Sequence, residues 1–188
     1  MDLYNFNSDT LLNWITAFCI FEIPLALFYI FISKINKNSK ESNVENWYSG
    51  KDISIWNVIV QDTLYVICGI IISLRLFNYL VDINLIPKIF IYFIFCFILV
   101  QLIGDLLFAL IITNWDKINS TYWIDYFKKY IKDSGFNALF GDTLYVIVWS
   151  LTFYFVSKYI NSFDIKIFII SLFFFLVSAY SIKKSINN

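Results

Sequence analysis

Four acidic residues lie inside or beside apolar runs: Glu22, Asp62, Asp105 and Asp142. A carboxylate at the centre of a membrane helix costs roughly 2.5–3.5 kcal/mol on insertion scales, and each large aliphatic neighbour returns about 0.3–0.6 kcal/mol. A span of about twenty apolar residues therefore carries one such acid, but its retention needs a reason. Counted along helices at about 1.5 Å per residue, all four acids fall at similar depth in one half of the bilayer. That coincidence is expected if they line one cavity. Carboxylates so placed cannot all ionise cheaply, so one of them holds a proton or recruits a cation.

Polar companions stand beside them. Gln61 precedes Asp62, and Gln101 sits one turn before Asp105. Tyr65 and Tyr145 each follow an Asp by three residues, on the same helix face. Asn57, Gln61 and Tyr65 make a polar stripe, and Asn137 is the counterpart of Asn57. The pattern supports an ion or proton site. Two other readings stay open: Asp62 and Asp142 as helix N-caps at the membrane surface, or a paired polar clamp that fixes helix packing.

The elements that must carry these residues are membrane spans. Apolar residues make up 60% of the 188-residue chain, charged residues 15%, and the mean hydropathy is +0.70. Soluble domains run at about 45–50% and about 25%. The expected fold is an all-α bundle of about five transmembrane helices, near 11–32, 54–80, 86–113, 137–159 and 164–182, forming a single polytopic domain. Residues 115–135 differ. Ile118, Tyr122, Trp123, Tyr126, Phe127, Tyr130 and Ile131 fall on one helical face, opposite Asp125, Lys128, Lys129, Lys132 and Asp133. This is the pattern of an amphipathic helix lying in the membrane surface, with Asn119, Ser120 and Thr121 able to cap its start and Gly135 its end. Trp14, Trp47, Trp56, Trp115 and Trp123 near span ends read as interfacial belts. Pro24 is placed to kink the first span.

Charge and composition exclude several functions. Fourteen basic and fourteen acidic residues leave no field for nucleic acid. There is no His, which removes imidazole metal ligands and His-based triads. Cys19, Cys68 and Cys96 are isolated in apolar runs and form no CxxC pair, so they read as small buried hydrophobes. No catalytic residue, metal or cofactor is expected, and the chain reads as non-enzymatic. The first basic residue is Lys34, so the first apolar segment is expected to be retained rather than cleaved. Lys placement orients the chain: ten lie on one side of a five-span topology and three on the other. This puts the N-terminus outside or in the lumen and the C-terminus in the cytosol. The lipid bilayer is the expected partner, with a homo-oligomer or a capsid or membrane protein as a further one.

Residues 57–67 read NVIVQDTLYVI and residues 137–147 read NALFGDTLYVI, so Asn and the run DTLYVI recur at an offset of 80. Two copies two spans apart imply a parallel internal repeat. The stretches YSGKDISIWNVIVQDTLYV at 48–66 and YIKDSGFNALFGDTLYV at 130–146 resemble segments of uncharacterised multi-pass membrane proteins of giant DNA viruses. The resemblance implies a viral membrane protein of the particle's internal membrane, and the leading expectation for function is a non-enzymatic protein that organises a host-derived or virion membrane. The resemblance brings no catalytic residues. The alternative from the residues themselves is a small proton or cation channel or transporter built on the acidic cluster.

Overall fold

The computed structural model describes residues 3–27, 55–116 and 121–187. Among them the chain is all-α, with six helices and no strand: α1 Ser8–Leu27, α2 Ile55–Asp82, α3 Phe90–Thr113, α4 Tyr122–Ser134, α5 Phe136–Tyr159 and α6 Phe163–Asn187. Four stretches are long and apolar enough to cross a bilayer: Ile59–Asp82, Phe90–Thr113, Phe136–Tyr159 and Phe163–Ile182. The protein is an integral membrane helical bundle. The expected first span, 11–32, corresponds to α1 as far as Leu27 and then lies outside the described residues.

Local chemistry sets the boundaries. α1 begins earlier than hydropathy suggests because Asn7 and Thr10 cap each other. The Thr10 amide donates to Asn7 Oδ1 at 2.9 Å, and the Asn7 amide donates to Thr10 Oγ1 at 2.9 Å. Pro24 sits inside α1 without ending it. α2 ends in a turn in which the Leu85 amide donates to the Leu80 carbonyl at 2.9 Å and Asn84 adopts φ +56°. Asn tolerates that left-handed conformation better than most residues. α3 then starts at Phe90, four residues later than the apolar run at 86 predicts, because Pro87 belongs to the turn. Of the three candidate start caps Thr121 is the one that serves α4, accepting from the Ile124 amide, while Ile118, Asn119 and Ser120 lie outside the described residues; Gly135 closes the helix at φ +50°, as expected.

The helices cluster into two compact units, residues 1–40 with 148–188 and residues 41–147. In the first, α1 packs on α6, and the second half of α5 joins them. Trp14 stacks on Phe153 with centroids 3.8 Å apart and planes 5° apart. Trp149 Nε1 donates to the Trp14 carbonyl at 3.0 Å, and Asn13 Nδ2 donates to Ser157 Oγ at 3.2 Å. Phe18 closes the cluster against Trp149 and Phe173. Trp14 is thus a core residue, 1% exposed, rather than a member of an interfacial belt. Its ring is apolar enough to be buried, and its position nearly two turns inside α1 faces it to α5. Trp115 and Trp123 are exposed at helix ends, as a belt requires; Trp47 lies outside the described residues.

The second unit is a helical hairpin, α2 against α3, with α4 packed on α3. Buried Val66, Ile70, Ser73, Leu74 and Phe77 of α2 repeat at helical spacing and meet Phe93, Ile94, Phe97 and Gln101 of α3. Phe77 and Phe93 make an edge-to-face pair at 6.0 Å near the turn. Farther along, a Cβ on Gly69 would lie 3.3 Å from the Phe97 ring, a close approach that glycine permits. Cys19 and Cys96 are buried as expected. Cys68 is exposed, because it stands on the face of α2 turned away from α3.

Candidate functional site

Where the hairpin seam reaches the opposite end from its turn, it becomes polar. Asp105 of α3 is half-buried, and both of its carboxylate oxygens are engaged. Gln101 Nε2, one turn earlier on the same helix, donates to Oδ1 at 2.9 Å and to Oδ2 at 2.8 Å. Tyr65 Oη of α2 donates to Oδ1 at 2.7 Å, the length of a strong charge-assisted bond. Gln101 is 7% exposed, so this end of the clamp lies in the packed seam. The i, i+4 spacing of Gln101 and Asp105 on a continuous helix makes the first contact local. The second exists only because the hairpin brings α2 beside α3.

Gly104 makes that second contact possible. A Cβ there would fall 2.7 Å from Tyr65 Oη, closer than any real Cβ contact. The tyrosine hydroxyl thus occupies the space of the missing side chain. Gly104 opens the segment GDLLFA at 104–109, whose Gly-Asp-x-Leu matches GDTL at 141–144, and the glycine beside an intramembrane acid is the signal that identifies it.

Asp142, in the first half of α5, is half-buried and lies within electrostatic reach of Asp105 and Tyr65. Two of the four acids therefore share one neighbourhood within this unit. The N-cap reading fails for Asp142 and Asp62 alike. α5 starts at Phe136 and α2 at Ile55, so both acids stand inside their helices. The helices continue N-terminally because the residues before each Asp, IWNVIVQ and FNALFG, contain no Pro.

The other residues distribute as follows. Gln61 accepts a long hydrogen bond, 3.4 Å, from Trp123 Nε1 of α4 and is not part of the carboxylate clamp. Asn137 is exposed at the start of α5 and Tyr145 is half-buried on the same helix. Glu22 stands on α1, in the other unit, beside Cys19 on its own helix. Asn57 and Asp62 are helical, but the readings of their side chains lie outside the described residues. Among the described residues no three His, Cys, Asp or Glu side chains converge as a metal site.

α4 is held against this unit by its aromatic face. Phe108 of α3 meets Trp123 and Phe127 edge-on, with centroids 6.0 and 5.1 Å apart. Lys128 Nζ donates to the Trp115 carbonyl at 2.8 Å and ties the helix back to the segment that precedes it. The polar group is therefore bordered by an aromatic cluster on α3 and α4.

A further polar set, not read from the sequence, lies in the other unit. Thr10, Asn13, Thr16, Ser150 and Ser157 are all buried among aromatics. Each is short and neutral; Asn13, Thr16 and Ser150 are flanked by apolar residues, Ser157 lies beside Lys158, and Thr10 belongs to the polar start of α1. Their helical spacing, 10, 13 and 16 on α1 and 150 and 157 on α5, is the signal that would have placed them on facing stripes.

No family model, no curated protein and no solved structure matches this chain.

Proposed function

We propose that this is a non-enzymatic multi-pass membrane protein whose intramembrane polar groups hold its helices in register. In this role it organises the membrane in which it sits. The observation that carries the reading is the engagement of both oxygens of Asp105 by neighbouring side chains. A carboxylate whose two oxygens are taken by Gln101 and Tyr65 acts as a fastener between α2 and α3. Its surroundings are aromatic packing at Phe108, Trp123 and Phe127, which suits a fixed scaffold. The resemblance to membrane proteins of giant DNA viruses supports a viral origin and a host-derived or virion membrane. The Lys asymmetry supports an N-terminus outside or in the lumen and a cytosolic C-terminus.

A second reading draws on Asp142. A second carboxylate within electrostatic reach of Asp105 is an arrangement that invites a shared proton or a cation. It favours a small proton or cation pathway using Asp105 and Asp142, with Asp62 at the matching position of the repeat. The two readings separate in proteoliposomes under an imposed proton or monovalent-cation gradient. A scaffold gives no flux in the wild type, and Asp62→Asn, Asp105→Asn and Asp142→Asn all remain folded. Flux in the wild type that is lost in folded Asp105→Asn or Asp142→Asn refutes the scaffold reading and establishes the pathway.

A further inference from the structure

The single arginine of the chain, Arg75, is exposed on α2, well inside a membrane-spanning stretch. It makes no hydrogen bond or ion pair with any other described residue. Its neighbours on the outer face of the hairpin, Ile71, Ile72 and Tyr79, are exposed as well. A charged group on an apolar face of a span needs an anion or water within reach.

Depth limits the choice. The spanning stretch Ile59–Asp82 has 24 residues, about 36 Å of helix against a hydrocarbon thickness of about 30 Å. With the excess shared between the ends, the Arg75 backbone lies about 7 Å below the boundary at which α2 meets the 83–89 turn. The Cα–Cβ bond of a helical residue tilts toward the helix N-terminus, here away from that boundary. The side chain must turn back, and its guanidinium then sits just below headgroup level.

Carboxylates of this hairpin do not meet that need. Asp62 and Asp105 belong to the far end of the seam. Asp82, seven residues on and about 10 Å along the axis, forms no ion pair with Arg75. A symmetric pairing of two hairpins through this face would set Arg75 against Arg75. The anion present at that depth in any bilayer is the phosphate of a lipid headgroup, which a guanidinium engages through two parallel hydrogen bonds. Tyr79, one turn nearer the boundary and 61% exposed, stands on the same face, its backbone almost at the boundary.

We infer that Arg75 and Tyr79 form a phospholipid headgroup site on the outer face of α2, at the membrane surface where the α2–α3 turn emerges. Arg75 takes the phosphate, and Tyr79 adds a hydrogen bond to the same headgroup. The site secures the hairpin at a set depth in that leaflet.

The test is native mass spectrometry of the full chain, extracted from dioleoylphosphatidylglycerol vesicles into a phosphate-free sugar detergent. Wild type, Arg75→Lys, Arg75→Gln and Tyr79→Phe are compared, with helix content by circular dichroism as the folding control. Wild type is expected to retain the phospholipid. Arg75→Gln should hold it about tenfold more weakly, the worth of one charge-assisted pair. Arg75→Lys should fall between, because it keeps the charge and loses the fork. Equal retention by wild type and Arg75→Gln overturns the site. So does a change of oligomeric state in Arg75→Gln with no change in bound lipid, which would assign the face to a second copy. Displacement of the lipid by millimolar inorganic phosphate would also overturn it, as a general anion site.

Discussion

Replacing Gly104 with Ala should weaken the hairpin by removing a hydrogen bond that glycine itself does not make. The new Cβ would lie 2.7 Å from Tyr65 Oη, about 0.7 Å short of ordinary contact. The tyrosine is the movable partner, since its hydroxyl is the far end of a side chain. A displacement of that size, directed away from Asp105, lengthens the 2.7 Å bond to Asp105 Oδ1 to about 3.4 Å, well past the range of a strong O–H···O bond. The loss is about 1–2 kcal/mol, the upper range for interhelical hydrogen bonds measured in membranes. Helix propensity works the other way, as Ala exceeds Gly by about 1 kcal/mol.

The two effects separate in a Tyr65→Phe background. The hydroxyl is then absent, and the next atom the Cβ meets is the ring Cζ at 3.6 Å, an ordinary contact. Gly104→Ala should thus be destabilising or neutral in the wild type and stabilising in Tyr65→Phe. The coupling between the sites should be about 1–2 kcal/mol. The assay is reversible unfolding in detergent micelles for wild type, both single variants and the double variant. Additive effects, with coupling below about 0.3 kcal/mol, would refute the claim that Gly104 serves the Tyr65–Asp105 bond.

Two further substitutions probe the packing outside that clamp. Trp149→Phe removes the N–H that donates to the Trp14 carbonyl at 3.0 Å but leaves an aromatic ring in place. It should cost about 1–2 kcal/mol in the same unfolding assay, and a neutral result would show that the Trp14 carbonyl is satisfied without it. Thr121→Ala removes the side chain that accepts from the Ile124 amide. The loss of about 1 kcal/mol should appear as faster amide exchange over 122–126, with α3 unchanged.

The residues that carry backbone instructions were legible along the chain. Four helices follow apolar runs whose length matches a bilayer, and α4 follows from aromatics and lysines at helical spacing, with Thr121 and Gly135 closing it. Gln101 beside Asp105 was legible for the same reason, because one turn of helix makes them neighbours whatever lies around them. Tyr65 shows the limit. By spacing it belongs with Asp62, three residues before it; in the fold its hydroxyl goes to Asp105, forty residues away. That choice depends on the rotation of α2 about its own axis and on the register of the hairpin. Both are set by Phe77 against Phe93 and by Gly69 against Phe97. The stripe of Asn13, Ser150 and Ser157 was missed on the same physical ground, since neutral side chains in apolar runs gain meaning only from the helix opposite. Which segments are helical and apolar enough to enter a membrane follows from the residues along each one, because those properties are sums over local residues. Which polar groups meet follows from packing, because a contact between two helices is a property of their relative rotation and register, which no single segment contains.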